Sequence, residues 1–320
     1  MELLTEELPP RALARLAGAL SSEIHAALGD AALVGSEGAS SFFATPRRLA
    51  AKVTNVLEVA PDRESEVSGP SVQAPPQAIT GFAKKHGLQP DKLERRSTAK
   101  GEVFVARVKR KGAKLDEVLA GMVENALKAL PVPKMMRWGS GDAQFVRPVH
   151  GVVMLHGSKV VPGTVLGLTS GNTTKGHRFM GSGSISLSGA DAYAETLRRE
   201  GKVIADFGER RAEIEQQLKA QAQREGGALG GYADLLDEVA ALVEYPKVYA
   251  GGFEASFLEV PQECLILTMR QNQKVFPLFD AAGKLLPRFL IVSNMDVADP
   301  RHIVGGNERV VRPRLQDARF

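Results

Sequence analysis

The spacing of apolar residues changes along this chain, and that change restricts the possible folds more than any other feature. Apolar side chains recur every three or four residues between Leu13 and Leu28, which is the pattern of an amphipathic helix. Between residues 131 and 187 they instead alternate with polar residues, and glycine- and serine-rich turns interrupt the alternation. The pattern predicts an α+β protein of several small mixed domains, with a largely antiparallel β region in the middle.

Shorter segments of the same two kinds occupy the rest of the chain. Helical spacing predicts further helices at Gln77–His86, Leu115–Leu130, Ala190–Glu200, Gly208–Arg224, Ala233–Val243 and Gln262–Gln271. Strands are predicted at Glu2–Leu4, Ser40–Ala44, Leu49–Val59, Glu94–Ser97, Glu102–Lys109, Gln144–Leu155, Val160–Leu168 and His177–Leu187, and a hairpin at Val275–Phe279 with Phe289–Ser293. Residues 60–78 carry four prolines among small and acidic residues, which indicates a surface linker.

These segments group into four expected parts. Residues 1–60 are predicted to form an N-terminal α/β module, and residues 61–130 to comprise the linker, a hairpin and a helix. Residues 131–300 are predicted to form an α+β module. Residues 301–320 are an arginine-rich segment, in which Pro313 argues against a long helix.

Composition excludes several classes of protein. Among the 320 residues no apolar run approaches the ~18 residues of a membrane-spanning helix, and the acidic first residues are unlike a secretory signal. The single cysteine, Cys264, cannot form an internal disulfide, and its apolar neighbours predict a buried, inert thiol. We therefore expect a cytoplasmic protein. The formal charge of +4 does not by itself indicate nucleic-acid binding.

Positive charge is concentrated in residues 95–114, which hold eight basic residues and one acid and have a net charge of +7. The basic residues are Arg95, Arg96, Lys100, Arg107, Lys109, Arg110, Lys111 and Lys114. Alternating positions on a hairpin would project several of these charges to one side, where they could follow a phosphate backbone. The alternative is a solvated edge strand that its charges protect from unwanted pairing.

A second basic segment lies at residues 301–320 and has a net charge of +3. Its basic residues are Arg301, Arg309, Arg312, Arg314 and Arg319. Arginine suits two-point pairing with phosphate or carboxylate. Salt bridges between domains are an equally compatible interpretation.

No segment carries a self-contained catalytic or metal site. His150 and His156 are too far apart for ligand spacing, and no cysteine or carboxylate stands beside them at zinc-like intervals. Nucleophile-elbow and nucleotide-binding glycine patterns are missing as well. Trp138 fits either a base-stacking role or a core position, and the core is favoured. His177 and Arg178, which follow a glycine, are candidates for contact with RNA or a partner.

Nine segments, in one order along essentially the whole chain, resemble a known family. They are Thr5–Pro10, Thr45–Ala50, Pro131–Gly139, Phe145–His150, Gly176–Gly181, Arg199–Asp206, Glu238–Pro246, Pro261–Pro277 and Gly306–Phe320. Together they resemble the beta subunit of the bacterial heterotetrameric glycine–tRNA ligase. The family's beta chain is about twice as long, so the sequence looks like its N-terminal half.

The resemblance implies a function shared with other chains. In that family two alpha and two beta subunits form the enzyme that attaches glycine to tRNA(Gly) with ATP. The alpha subunit carries the class II site that uses ATP and Mg, so the resemblance implies no cofactor and no catalytic residue on this chain. The implied partners are the alpha subunit, tRNA(Gly) and a second beta subunit, and the fragment alone is expected to be inactive.

The resemblance also concerns domains. It implies an HD-type helical domain beyond residues 301–320 and a module similar to the B3/B4 domain of the phenylalanine enzyme within residues 131–300. The basic segments and the densest motifs supply the residues expected to contact tRNA or another subunit, namely Arg95, Arg96, Lys109, Arg110, Lys111, Arg137, Trp138, Arg147, His177, Arg178, Arg309, Arg312 and Arg314.

Two alternatives stay open from the sequence. In the first, the chain is an interaction scaffold without RNA contact, and Val152–Leu155 and the pair Phe42 and Phe43 face a partner. In the second, the chain is an editing module that hydrolyses mischarged tRNA. The second rests on analogy between domains, and no nucleophile–base pair is visible for it.

Overall fold

The computed structural model describes residues 1–132, 134–138 and 144–319. Pro133 and residues 139–143 lie outside the described part, which includes the end of the segment Pro131–Gly139. Phe320, the last residue of the segment Gly306–Phe320, lies outside it too. Helices and antiparallel strands are mixed throughout the described residues, so the predicted α+β class is confirmed.

Every helix predicted from apolar spacing is present, with ends that differ by a few residues. The helices are α1 Leu13–Asp30, α2 Pro76–Lys85, α3 Leu115–Lys128, α4 Tyr193–Arg199, α5 Phe207–Arg224, α6 Ala233–Ala240, α7 Gln262–Leu267 and α8 Arg301–Ala318. The strands are β1 Glu2–Thr5, β2 Ser40–Thr45, β3 Arg48–Val53, β4 Arg63–Ser71, β5 Glu94–Thr98, β6 Gly101–Arg110, β7 Met136–Arg137, β8 Gln144–Phe145, β9 Val149–Val153, β10 Leu155–His156, β11 Lys159–Val160, β12 Thr164–Val165, β13 Leu168–Thr169, β14 Thr173–Lys175, β15 Ser184–Ser186, β16 Lys247–Gly252, β17 Phe276–Phe279 and β18 Leu285–Ser293.

A strand from the middle of the chain completes the N-terminal sheet. The strand order is β2-β3-β1-β9, and β9 pairs with β1 through partners such as Leu3 and Val152. The apolar stripes of α1 and α3 contribute to the core beneath this sheet. Val152 through Met154 are buried, so the idea that this strand faces a partner is wrong. Phe42 and Phe43 are half-buried, and each packs against a different hydrophobic cluster.

The stretch expected to be a surface linker contains a strand instead. β4 is an edge strand of the sheet β4-β6-β5, and its residues pair with β6 in antiparallel register. Pro70 lies where that register shifts, between Ser68 and Ser71. Sheets tolerate proline at edges and bulges, and charged residues such as Glu64 and Glu66 protect an open edge. The composition of an edge strand therefore resembled that of a linker.

The middle of the chain is antiparallel as predicted, but the three long strands expected there are wrong. The chain instead forms short pairs, β10 with β11, β12 with β13, and β14 with β15. Four glycines with positive φ angles stand between these strands, Gly157 at 59°, Gly163 at 154°, Gly167 at 79° and Gly183 at 85°. Glycine adopts such angles without steric cost, so each position turns the backbone and ends a strand.

The last third of the chain is built around a second set of strands, in the order β16-β18-β17. The pairing of β17 with β18 confirms the predicted hairpin. Apolar residues of α5 and α6, among them Leu236, pack in one cluster with Leu290 of β18. Residues of α7 and α8 pack in another, which contains Phe289, Val311 and Leu315.

α8 continues through Pro313, so the expectation that this proline prevents a long helix is wrong. Proline removes one backbone donor and opposes the carbonyl four residues earlier. The opposite side of the helix compensates, because Val311 and Leu315 are fully buried. Arg312 adds an ion pair with Glu254 at 2.9 Å. Tertiary packing thus outweighs the local preference of the sequence.

Pro313→Ala should stabilise α8, because it restores the missing backbone donor at an exposed position. Proline inside a helix costs ~3 kcal/mol relative to alanine, so we expect the free energy of unfolding to rise by about 1–2 kcal/mol after the entropy gained by the unfolded chain is subtracted. Urea unfolding and amide hydrogen exchange along α8 measure the effect. Gln316→Ala, also exposed on α8, is the control, and unchanged exchange in Pro313→Ala would contradict the prediction.

A buried charged cluster joins the N-terminal sheet to the middle of the chain. Arg48 and Glu2 are each 1% exposed, and Arg48 Nη1 donates to Glu2 Oε2 at 2.9 Å. Thr174 and Tyr193 also donate to the Glu2 carboxylate, and Arg48 Nη2 donates to the carbonyl of Lys175 at 2.7 Å. Burial is the largest single effect and acts to lower the pKa of Arg48, but Glu2, Tyr193 and Glu244 together outweigh it and the pKa is raised.

Arg210 of α5 makes a second buried connection. Its guanidinium donates to the carbonyls of Ala240 at 2.9 Å, Ile204 at 2.6 Å and Ala44 at 2.7 Å. Burial lowers the pKa of Arg210 to about 10, while Glu244 acts in the opposite direction. The guanidinium therefore stays charged at neutral pH and links α5 to α6 and to β2.

Arg48→Met should be strongly destabilising, because it leaves the Glu2 carboxylate buried without its cation. Removing one partner of a buried pair typically costs about 3–5 kcal/mol, which urea unfolding would measure. The double variant Glu2→Gln/Arg48→Met removes both charges and should be more stable than the single variant. Arg63→Met, at an exposed site in β4, is the control with an expected change below about 0.5 kcal/mol. If Arg48→Met lowers the free energy of unfolding by less than about 1 kcal/mol, the buried Glu2 carboxylate does not depend on Arg48 for its stabilisation.

Candidate nucleic-acid interface

The loop between β14 and β15 contains the segment Gly176–Gly181 and is fixed by His177. The His177 ring is 3% exposed. Its Nδ1 accepts hydrogen bonds from the backbone N–H groups of Phe179 and Met180, both at 3.1 Å. Since Nδ1 accepts, the proton is on Nε2, which donates to the carbonyl of Asn294 at 2.6 Å. The ring is buried and both of its nitrogens are engaged within the chain, and the contact of His177 with RNA or a partner stays a prediction.

His177 positions its two neighbours at the surface. Arg178 is exposed, and Phe179 is 69% exposed. The guanidinium carbon of Arg178 lies 5.7 Å from the centroid of the Phe179 ring, which is within the range of a cation–π contact. The loop thus presents an aromatic ring and a cation together, and hydrogen bonds to the buried His177 ring fix its backbone.

Glu6 lies next to this loop beside two arginines and a histidine. Its carboxylate lies 2.7 Å from His150 Nε2 and 3.7 Å from Arg47. The hydrogen bond from His150, with the charges of Arg47, His150 and Arg178, lowers the pKa of Glu6. One carboxylate therefore faces two arginines and a histidine, and the arrangement attracts a further anion.

Arg147 holds the backbone around Glu6. Its Nε donates to the carbonyl of Glu7 at 2.9 Å, and its Nη1 donates to the carbonyl of Val146 at 2.8 Å. Glu6 N–H donates to the carbonyl of Pro148 at 3.0 Å. Four of the nine sequence segments thus meet at one surface, which we call the Glu6 surface and define as Glu6, Arg47, Arg147, His150, Arg178 and Phe179.

Arg137 and Trp138 take different positions. Arg137 is exposed on β7, where its cross-strand partner is Gln144 of β8. Trp138 is half-buried and packs against the cluster that contains residues of α1 and α3. The core interpretation favoured from the sequence is therefore confirmed for Trp138, and Arg137 stays a candidate contact.

The basic segment 95–114 is divided between two faces of its sheet. Because side chains alternate along a strand, Arg96, Arg107 and Lys109 share one face, and Arg95 and Arg110 lie on the other, where α2 packs. The expectation that the charges share one side is therefore correct for only part of the segment. β6 is also the central strand of the sheet, so the alternative of an edge strand applies to β5 and not to β6.

Acids from neighbouring strands neutralise much of this charge. Arg96 forms an ion pair with Glu66 of β4, and Arg107 lies 3.3 Å from Glu94 of β5. On the other face Arg95 lies over the ring of Phe104, with its guanidinium carbon 5.5 Å from the ring centroid. The net charge of residues 95–114 therefore overstates the positive charge on this sheet, because Glu66 and Glu94 lie outside those residues.

Exposed cations remain at the end of β6 and on α8. Lys109, Arg110 and Lys111 are exposed at the end of β6. On α8, Arg312 and Arg319 pair with Glu254 at 2.9 Å and Glu259 at 3.4 Å, which supports the salt-bridge interpretation of that segment. Arg309 donates to the carbonyl of Gly305 at 3.2 Å. Arg314 is exposed and has no carboxylate within 4.0 Å among the described residues.

Cys264 is exposed, so the prediction of a buried thiol is wrong. The helical turn of α7 directs Leu265 inward and Cys264 outward, although both belong to one apolar run. Within the described ranges no three of the histidine, cysteine and acidic side chains form a group that could hold a metal ion. No described helix is long and apolar enough to cross a membrane.

Sequence reasoning missed Glu6, Arg47 and Phe179 as members of a site. All three lie inside segments that were singled out, so the segments carried the signal. For Phe179 the available indication was an aromatic residue directly after an arginine in a segment bounded by glycines. The proximity of Glu6 to His150 depends on the pairing of β1 with β9, which the sequence pattern does not reveal.

Comparison with known proteins gives the family. A sequence model described as the glycyl-tRNA synthetase beta subunit matches residues 1–320. The chain belongs to this family.

Relatives agree along the whole chain. The glycine–tRNA ligase beta subunit of Aromatoleum aromaticum is 57% identical over 330 residues, which cover 100% of this chain and 47% of the relative. The beta subunits of Neisseria meningitidis serogroup A and Serratia proteamaculans are each 48% identical and cover 100% of this chain, and 48% and 47% of the relatives. The chain thus spans about half the length of the curated relatives it matches.

His177→Ala should release the loop of this family member without unfolding the protein. The substitution removes the acceptor of two backbone donors and a donor to Asn294, and a buried group left unpaired costs about 1–3 kcal/mol. We expect faster amide hydrogen exchange at Phe179 and Met180. His302→Ala, exposed on α8, is the control. Unchanged exchange at both amides would show that other contacts hold the loop.

Proposed function

We propose that this chain acts as part of the beta subunit of a glycine–tRNA ligase, where it contributes to tRNA binding and to assembly with the alpha subunit. In this proposal the alpha subunit carries the ATP- and Mg-dependent activation of glycine, and a second beta subunit completes the enzyme. The observation that carries the proposal is the family match along all 320 residues. The relatives named glycine–tRNA ligase beta subunit support it.

The Glu6 surface supports contact with RNA. Proteins bind unpaired nucleotides by stacking bases on exposed aromatic rings and by placing arginines near phosphates. Phe179 supplies an exposed ring, and Arg178 and Arg47 supply cations beside it. We therefore place the primary RNA contact of this chain at the Glu6 surface, and a secondary contact at Lys109, Arg110 and Lys111.

A charging assay tests the function. Alpha subunit alone, alpha with this chain, and alpha with a full-length beta subunit are compared for the attachment of glycine to tRNA(Gly). We expect efficient charging with the full-length beta subunit and little or none with the other two preparations. Efficient charging by alpha alone would contradict a role of the beta subunit in the reaction.

Variants test the RNA contact in a direct binding assay. Phe179→Ala should weaken tRNA(Gly) binding about ten-fold, in line with the loss of one base stack. Arg178→Glu should lower the slope of log affinity against log salt by about one. Reversal of Lys109, Arg110 and Lys111 to Glu should weaken binding without unfolding the chain. Leu242→Ala, an exposed apolar residue elsewhere, is the control.

The outcomes separate the alternatives. A binding affinity that does not depend on salt would favour the scaffold without RNA contact. Unchanged affinity in the triple reversal alone would leave residues 109–111 as a solvated surface and keep the Glu6 surface. Unchanged affinity in Phe179→Ala and Arg178→Glu would remove the Glu6 surface from RNA binding.

A further inference from the structure

A cleft of about 1060 Å³ lies between the start of α1 and the segment that follows α7. Arg11 and Arg15 line it at the start of α1, and Arg270, Asn272 and Lys274 line it in the segment after α7. None of these residues belongs to the Glu6 surface. Arg270, Asn272 and Lys274 belong to the segment Pro261–Pro277, one of the nine segments that resemble the family.

Arg47, Arg48 and Arg270 each have a buried Nε without a hydrogen-bond partner among the described residues, but Arg47 and Arg48 lie beside a glutamate and Arg270 does not. The guanidinium of Arg270 has no carboxylate within 4.0 Å in that part of the chain, in contrast to Arg312 and Arg211. Burial lowers the pKa of Arg270, and no nearby acid offsets this effect. A guanidinium held in this way lacks the acceptor that its geometry requires.

The backbone that carries Arg270 is irregular. Residues Thr268–Asn272 form a π-helical turn directly after α7. Lys274, two residues later, has a φ angle of 55°, a left-handed conformation that side chains rarely adopt. π-turns and strained residues of this kind are concentrated at functional sites, because the rest of the fold must hold them in place.

The free charges in the cleft are mostly positive. Two of its acids are occupied, Asp237 by Arg211 at 2.5 Å and Glu238 by Lys274 at 2.7 Å. Arg11, Arg15 and Arg270 have no ion-pair partner among the residues the structure describes, and Asp234 is the unpaired acid of the same lining. Three unpaired guanidiniums therefore face one unpaired carboxylate.

We propose that this cleft is an anion site that binds a phosphate group, with Arg270 as its central ligand and Arg11 and Arg15 as further cations of the same lining. A carboxylate has two oxygens and is satisfied by one guanidinium fork, whereas a phosphate offers acceptor oxygens to more than one arginine. The site is built from residues of this chain and does not depend on the proposed function.

The test uses inorganic tripolyphosphate as the probe and the thermal unfolding midpoint as the readout. Sodium tripolyphosphate is titrated against this chain at constant ionic strength, with sodium chloride as the reference and sodium succinate as the carboxylate probe. A ligand that binds the folded state raises the midpoint. We expect stabilisation by tripolyphosphate beyond both references. Equal stabilisation by chloride or succinate would overturn the proposal.

Variants locate the binding. Arg270→Gln should weaken tripolyphosphate binding by about ten-fold or more, since a charge-assisted contact is lost. If Arg270→Gln does not fold, Arg15→Gln, an exposed wall residue, should still weaken binding about three-fold. Arg224→Gln, exposed on α5 outside the cleft, is the control and should bind as the parent protein does. Equal binding by parent, Arg270→Gln and Arg15→Gln would place the anion elsewhere and overturn the proposal.

A competition arm identifies the source of the phosphate. If a tRNA(Gly) transcript displaces tripolyphosphate and Arg270→Gln weakens both, the natural occupant is a phosphodiester of the RNA. If tripolyphosphate binding depends on Arg270 and the transcript neither competes nor responds to the variant, the occupant is a free phosphorylated compound. Failure of this chain to bind tRNA at all would contradict the proposed function and leave the tripolyphosphate result unaffected.

Discussion

Two buried arginines, Arg48 and Arg210, keep their charge inside the protein, and the arrangement of the chain depends on satisfying them. A buried cation is expensive unless acceptors surround it. Arg48 finds its acceptors on Glu2 and on the backbone of Lys175. Arg210 finds three carbonyls that come from β2, from the segment before α5 and from the end of α6. Segments far apart in sequence must therefore come together in one arrangement.

The same requirement positions the candidate interface. Lys175, whose carbonyl Arg48 holds, immediately precedes the loop that carries Arg178 and Phe179. The other end of that support is Asn294, whose carbonyl accepts from His177 and whose side chain accepts from the backbone N–H of Glu244. The exposed ring and cation are thus held from both the N-terminal sheet and the C-terminal sheet. A binding surface built on such a rigid support loses less entropy when it orders a ligand.

Charge counted along the sequence and charge at the surface differ in this protein for a physical reason. Ion pairs form between strands and between helices, so the partner of a basic residue is commonly far away in sequence. Arg96 of β5 pairs with Glu66 of β4 across the central strand β6, and Arg312 of α8 pairs with Glu254, which follows β16. Arg11, Arg15 and Arg270 lie in segments without a high local charge, and yet no carboxylate neutralises them in the described part of the chain. The density of charge along the sequence therefore does not indicate which arginines stay unpaired in the described part of the chain.

The sequence by itself determined the elements whose signal is local. Apolar spacing placed α1, α3 and α5, alternation and a turn placed the hairpin β17–β18, and nine ordered segments indicated the family. Tertiary structure decided the rest. β4 is a strand because β6 offers it a partner, and α8 passes through Pro313 because Val311 and Leu315 are buried on its other side. Which cations remain free depends on ion pairs between different elements, such as Arg96 with Glu66 and Arg312 with Glu254. The meeting of Glu6 with His150 and Arg178 depends on contacts between residues more than a hundred positions apart, which no local pattern encodes.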